Sequence, residues 1–319
     1  MAEKAPSQAA QIAPVQKARI LAEALPFIRA FHASTLIIRF GGGAMADPAL
    51  KEGFARDVAL LRLVGMRPII VHGGGWRIDD LLRTMGMEPR QVAGVRVTDE
   101  ATLNVVEMVL GEINQELVGL INKFGAKAVG LSGQDGRFIH ARPLTLARGE
   151  PGGAAPDVGL VGEVESIDPD VIHLLMSRGF IPVIMPIGVG ADGTAYHINS
   201  DAFAGELART LHAEKLILMT NVPGIHDRDG KLAFVMTATE AETLLREGVV
   251  APELQPRVAA ALSAVREGVR SVHIIDGGVP SALLLEVLTN SGIGTAMRSD
   301  AGPHFLADSR SYFAGTADG

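Results

Sequence analysis

Two short apolar runs, TLIIRF (Thr35–Phe40) and PIIV (residues 68–71), each end in glycines and then give way to a helix-like segment. A strand, a glycine turn and a helix, repeated, commit a chain to crossover connections and so to a parallel sheet. The unit recurs. Residues 127–131 end in Ser-Gly-Gln-Asp-Gly, Lys215–Thr220 enters Asn221-Val222-Pro223-Gly224, and residues 271–275 lead toward a helix over 280–290. Residues 181–186 read as another buried strand, 163–167 as an edge strand and 295–297 as a final short one. Helical periodicity covers 16–31, 50–64, 78–85, 100–124, 200–211, 239–246 and 255–267, with Asn199 or Ser200 as a cap. Asp192-Gly193 predicts a hairpin turn, and 147–158 reads as loop. These elements predict an α/β fold, an αβα sandwich with a mainly parallel central sheet and two lobes. The expected divisions are an N-terminal extension and helix over 1–34, lobes over 35–190 and 191–298, and a tail over 299–319.

Composition narrows the function classes. Apolar residues make up 47% and aromatics only 4%, so Ala, Val, Leu and Ile must fill the core. Cysteine is absent, which removes disulfides and thiol nucleophiles. A net charge of −7 with no basic run argues against nucleic acid as a partner. No apolar stretch of about 18 residues appears, so no membrane span is expected. Residues 1–16 lack the apolar centre of a secretory signal, which leads to a cytoplasmic expectation.

The chemistry is concentrated at the glycines. Gly41–Gly43 and Gly73–Gly75 fall just past the ends of two strands, the edge where open α/β sheets bind ligands. Bare backbone N–H groups there can approach a phosphate, and a following helix adds its positive end. Neither cluster has the dinucleotide spacing, and no Gly-Lys-Ser/Thr phosphate loop is present. A tight turn needed only for packing would look the same, so the motifs must be taken together.

IIRFGGGAM, PIIVHGGG, GVRVTD, LSGQDG, DVGLVGEV, IPVIMPIGVGADGTAYHINSD, AEKLILMTNVPGI and VHIIDGGVPSALLLEVLTNSGIGT occur in one order. From about residue 35 to 297 this run resembles the acetylglutamate kinases of the amino-acid kinase family. The resemblance implies a first lobe (35–190) that binds acetylglutamate and a second (191–298) that binds ATP with Mg²⁺, no metal being held by protein residues alone. It implies a homo-oligomer, dimer or hexamer. Carried over by position, Gly42, Gly43, Gly74 and Gly75 resemble the glycines around the transferring phosphoryl group. Arg96 resembles the arginine that pairs with a substrate carboxylate. Asn199 and His197 fall at substrate-side positions, and Asp201 at the aspartate that orients the cationic groups. Asn221 and Gly224 fall in the nucleotide turn. Glu286, Gly292 and Gly294 match part of a candidate arginine effector site, although Gly278 and Ser281 stand where the family commonly has Arg and His.

The departures are specific. Arg39 and Arg257 occupy the positions of two family lysines, which keeps the charge and changes its shape. A Gly-Gly segment before Arg257 is lost, Asn221 replaces an Asp, His197 an Asn and Gln134 a Lys. Trp76 stands where the family has a smaller residue and is expected to narrow the substrate pocket. His72, ahead of the second glycine run, is expected to fix that turn. Three functions follow from the resemblance. The first is ATP-dependent phosphorylation of the side-chain carboxylate of N-acetyl-L-glutamate in arginine biosynthesis. The second is a kinase of a related carboxylate or carrier-bound amino acid. The third is a catalytically silent binding or regulatory homologue.

Overall fold

The computed structural model describes residues 14–146, 156–290 and 292–300. It opens with α1 (Pro14–Phe31), β1 (Thr35–Phe40), α2 (Pro48–Leu63), β2 (Arg67–His72), α3 (Gly75–Thr84) and the hairpin β3 (Gln91–Val92) and β4 (Val95–Arg96). Then come α4 (Glu100–Lys123), β5 (Ala128–Ser132), β6 (Ile139–Pro143), β7 (Val161–Ile167), α5 (Asp170–Ser177), β8 (Ile181–Met185), β9 (Ile187–Val189) and β10 (Ala195–Ile198). The second half holds α6 (Ser200–Thr210), β11 (Lys215–Thr220), β12 (Val235–Thr237), α7 (Ala238–Arg246), α8 (Gln255–Arg266), β13 (Val272–Asp276), α9 (Ala282–Leu288) and β14 (Thr295–Arg298).

Eight strands form one sheet in the order β12-β14-β13-β11-β1-β2-β8-β5. Every neighbouring pair is parallel except β13 with β14. β1 therefore lies between β2 on one side and β11 on the other. The chain leaves β1 in one direction and later returns to its opposite flank, so the crevice past the ends of β1 and β11 is a topological switch point.

Side chains of β1 alternate between two cores. Leu36, Ile38 and Phe40 pack with α2, α3, α4 and α9, where the Phe40 and Phe54 rings stack at 3.9 Å. Ile37 faces the other core, built from α6, α7, α8 and the β6–β10 region. Arg39 shares that second face, which directs it toward the start of α6. Asn199 caps α6 by accepting from the Asp201 and Ala202 N–H groups at 2.9 and 3.1 Å.

Several expectations need correction. The strand at 161–167 is not an edge: β7 pairs with both β6 and β10 inside a closed four-stranded barrel, β10-β7-β6-β9. β6, α5 and β12 have no counterpart in the sequence reading. The helix expected over 280–290 is shorter, because Ser281 is left-handed (φ 55°) and α9 begins after it. The helix after β2 starts earlier than expected, at Gly75. Most of the 147–158 loop and nearly all of the 299–319 tail lie outside the described residues. Among the described residues no helix is long and apolar enough to cross a membrane.

One buried charge is costly. Asp57 on α2 is 2% exposed, and its Oδ1 accepts no hydrogen bond. It lines a cavity of about 130 Å³ between α2 and the Ser281 turn. Burial raises its carboxyl to about 6, against the opposing pull of Arg56 and a hydrogen bond from Ser281. An acid whose folded pKa exceeds its unfolded one (3.8) loses stability as pH rises from about 4 to 6, and the penalty is complete above that. Asp57→Asn should therefore raise Tm at pH 7.5, with the gain shrinking as pH falls toward 5. Thermal melts of the two proteins across that range check this, and a gain independent of pH contradicts it.

Candidate active site

The switch point gathers three charged groups. Arg39, at the end of β1, and Asp201, in the first turn of α6, are both buried. Arg39 Nε lies 2.8 Å from Asp201 Oδ1. Arg257, in the first turn of α8, brings its Nε to 3.7 Å from Asp201 Oδ2. The carboxylate thus stands between two guanidiniums, and the positive end of α6 adds to its stabilisation. The contact with Arg39 is ionic rather than directional: Oδ1 lies out of line with the N–H and accepts no hydrogen bond. Burial lowers the Arg39 pKa, Asp201 opposes that shift and Arg257 adds to it. The guanidinium nonetheless stays charged.

The rest of the Arg39 fork is fixed by its surroundings. Nε and Nη2 donate to Ser200 Oγ at 3.2 and 3.0 Å, and Nη1 donates to the Met219 carbonyl at 3.3 Å. Arg257 is held by its Nη1, which donates to the Glu253 carbonyl at 3.1 Å. Its buried Nε–H has no hydrogen-bond partner. Buried donors are normally paired, and this one faces the Asp201 carboxylate beyond hydrogen-bond distance, at 3.7 Å.

Both glycine turns border the Arg39 guanidinium. A Cβ on Gly41 would collide with Nη1, and one on Gly73 would sit 3.5 Å from Nη2. Gly42 has φ +76°, and a Cβ there would overlap the Asn221 side chain. Asn221 Oδ1 accepts the Gly43 N–H and ties the first glycine turn to the end of β11. That amide is therefore spent on shaping the loop. Gly74 caps α3, and its bare Cα faces Ile113 and Leu110 at the distance where a Cβ would begin to crowd them (3.0 Å). His72 is fully buried beneath this turn. Its Nε2 accepts from Asn114 Nδ2 at 3.1 Å, which leaves Nδ1–H to donate to the Gly73 carbonyl at 3.1 Å. Burial lowers the imidazole to about 4, the Gly73 bond opposes this and the Arg39 charge reinforces it, so the ring is neutral.

Beside this cradle lies a cavity of about 440 Å³, lined among others by Arg96, Gly162, His197, Asn199, Glu206 and Ser263. Arg96 pairs with Asp79 and donates from Nη2 to the Gly75 carbonyl at 3.3 Å. Its head is thus held at the cavity wall beside the second glycine turn. The His197 ring is lowered to about 4 by burial and by Arg96, so it offers a neutral hydrogen-bonding group. Trp76 is 47% exposed and does not line this cavity, so it is not the wall expected from its position.

Gly224 is separated from this arrangement in its contacts. Its φ is +152°, and the space a Cβ would need is filled by Thr295 and Leu232, which makes it a packing glycine. Glu286, Gly292 and Gly294 do come together, around a cavity of about 60 Å³ that Lys215, His273 and Phe31 also line. The Glu286 carboxylate accepts from His273 Nδ1 at 2.5 Å and from the Ile293 and Gly294 N–H groups at 2.8 and 3.3 Å. Lys215 Nζ donates to His273 Nε2 at 3.1 Å, so a neutral histidine links a cation to an anion. Burial brings the lysine down to about 8. Sequence reasoning missed Ser200, Asp79, Lys215 and His273 as partners. Ser200 carried a signal only as part of a helix start.

Comparison with known proteins shows the family. The model of the amino acid kinase family matches residues 34–276. A relative named acetylglutamate kinase, from Chromobacterium violaceum, is 55% identical over 285 residues, covering 89% of this chain and 98% of its own. Another acetylglutamate kinase, from Polynucleobacter asymbioticus, is 52% identical over 289 residues, covering 90% of this chain and 96% of its own. Among solved structures, an N-acetylglutamate synthase from Neisseria gonorrhoeae, complexed with coenzyme A and N-acetyl-glutamate, superposes with a TM-score of 0.80 at 27% identity, covering 89% of this chain and 64% of that one. A Giardia carbamate kinase, at 17% identity and a TM-score of 0.60, covers 84% of this chain and 99% of that one and shares the fold.

Proposed function

The chain belongs to the amino acid kinase family, in its acetylglutamate kinase branch, and from that membership we infer that it transfers the γ-phosphoryl group of ATP to the side-chain carboxylate of N-acetyl-L-glutamate. The product is an acyl phosphate on the route to arginine. The observation that carries this reading is the convergence of two guanidiniums on one buried carboxylate beside two glycine turns.

The chemistry asks little of the protein beyond position and charge. The acceptor carboxylate is ionised near neutral pH, so no side chain has to remove a proton. Arg39 and Arg257 are assigned to the oxygens that gain charge as the phosphoryl group moves. Asp201 holds the two cations apart and in register. The amides of Gly42, Gly74 and Gly75 and the positive end of α3 are assigned to the phosphoryl oxygens, with Asn221 shaping the loop. Arg96, His197 and Asn199 are assigned to acetylglutamate, because they line the cavity beside the cradle. The first lobe then binds the acceptor. The second, after about residue 190, binds the nucleotide.

Mg²⁺ supplies charge neutralisation on the phosphates. It is assigned mainly to phosphate and water oxygens, because Asp201 is already engaged by two guanidiniums and no cluster of metal-binding side chains occurs among the described residues. A cytoplasmic placement accords with amino-acid synthesis from ATP. Assembly is assigned to α1, where Ile20, Leu21 and Leu25 are all more than half exposed while Phe27 and Phe31 dock on the body. The solution mass should exceed that of one 33.5 kDa chain and fall on Leu21→Glu. A monomeric parent in light scattering contradicts this.

The activity is tested by trapping. With ATP, Mg²⁺ and N-acetyl-L-glutamate, hydroxylamine should capture the acyl phosphate as a hydroxamate. Arg257→Ala should lower kcat by about 10²–10³-fold. No hydroxamate from the parent chain, or an undiminished rate in the variant, contradicts the assignment.

A further inference from the structure

An arginine in place of a compact ammonium raises a problem of orientation. A guanidinium is planar and presents five N–H groups in a fixed fork, so its effect depends on how the plane is turned. Asp201 does not set that plane, since Oδ1 approaches Arg39 Nε to 2.8 Å without accepting a hydrogen bond. Ser200 Oγ does. It accepts from both Nε and Nη2, at 3.2 and 3.0 Å, and so occupies the pair of donors that a carboxylate would otherwise take side by side. The Met219 carbonyl takes one N–H of Nη1. Three of the five N–H groups are used in this way, and one remains on each of Nη1 and Nη2. Nη1 lies beside Gly41 and Nη2 beside Gly73, so this end of the fork spans the two glycine turns. The hydroxyl itself sits 3.4 Å from where a Gly73 Cβ would stand, an ordinary van der Waals contact that places it at the second glycine turn.

We propose that Ser200 is a positioning residue for phosphoryl transfer: its hydroxyl sets the plane of Arg39 and keeps the Nη1 and Nη2 edge turned to the transferring group. This deepens the kinase reading and rests on it. Without the hydroxyl, Arg39 rotates into a side-by-side pair with the adjacent Asp201 carboxylate. The N–H groups then leave the phosphoryl oxygens while the charge stays in place. Substrate binding therefore persists and the transfer step slows.

The test is a double-mutant cycle read by hydroxamate formation. Ser200→Ala should lower kcat about tenfold or more, with KM for ATP and for N-acetyl-L-glutamate within about threefold. In an Arg39→Lys background the same change should cost less than about twofold, because an ammonium donates in three directions and has no plane to set. Ser200→Thr, which keeps the hydroxyl, should recover most of the rate. Equal losses in both backgrounds would indicate a general role in the start of α6 and overturn the proposal, as would an unchanged kcat in Ser200→Ala. If the parent chain forms no hydroxamate, the kinase reading fails separately. The positioning claim is then read from the crystal structure of Ser200→Ala, in which Arg39 should have turned into a side-by-side pair with Asp201. A guanidinium left in its original plane in that variant overturns the positioning claim.

Discussion

One carboxylate between two guanidiniums is the interaction on which the rest of this structure depends. Asp201 is buried, and so is Arg39, while Arg257 is a quarter exposed. Taking such charges out of water costs several kcal/mol each unless they are paired, and here two cations share one anion. The arrangement leaves a net positive charge directed at the crevice beyond β1 and β11. Each supporting feature keeps it in place. The alternation of β1 directs Arg39 to the α6 face, Asn199 starts α6 at the right residue, and the first turn of α8 delivers Arg257. The two glycine turns let backbone come close enough that an anion entering the crevice meets amides and guanidiniums together.

An arginine at the end of β1 asks more of its neighbours than a lysine there would. A lysine needs only a pocket and an opposite charge. Arg39 needs its plane set, its Nη1 satisfied and its rotation toward Asp201 prevented, and Ser200 and Met219 meet those needs. Arg257 shows the contrast: only one of its nitrogens is held, and its buried Nε–H remains unpaired. The tightly fixed cation is the one between the glycine turns. The looser one lies on the side assigned to the nucleotide.

Much of this was legible in the residues themselves. The strands of the central sheet are apolar runs that end in glycine or a turn, and their parallel order follows from the helices between them. The small barrel was not legible. β6 and β7 mix buried and exposed residues without a regular period, so their pairing is decided by tertiary contact, and in the central sheet the three-residue β12 is too short to stand out. α5, at eight residues, is too short for its period to stand out. Arg39, Arg257 and Asp201 could be singled out by position, but their mutual geometry could not, and neither could the role of a serine that reads as helix start. Trp76 shows the reverse error. A bulky residue beside a glycine run suggests a pocket wall, whereas the first turn of α3 leaves it half exposed and outside the cavity lining.

The most direct measurement is the turnover of Asp201→Asn. The amide keeps the size of the side chain and removes the charge that holds the two guanidiniums together. The account predicts that kcat falls by about two to three orders of magnitude while KM for N-acetyl-L-glutamate stays within about threefold. A variant that remains folded and retains kcat within about threefold of the parent would contradict it.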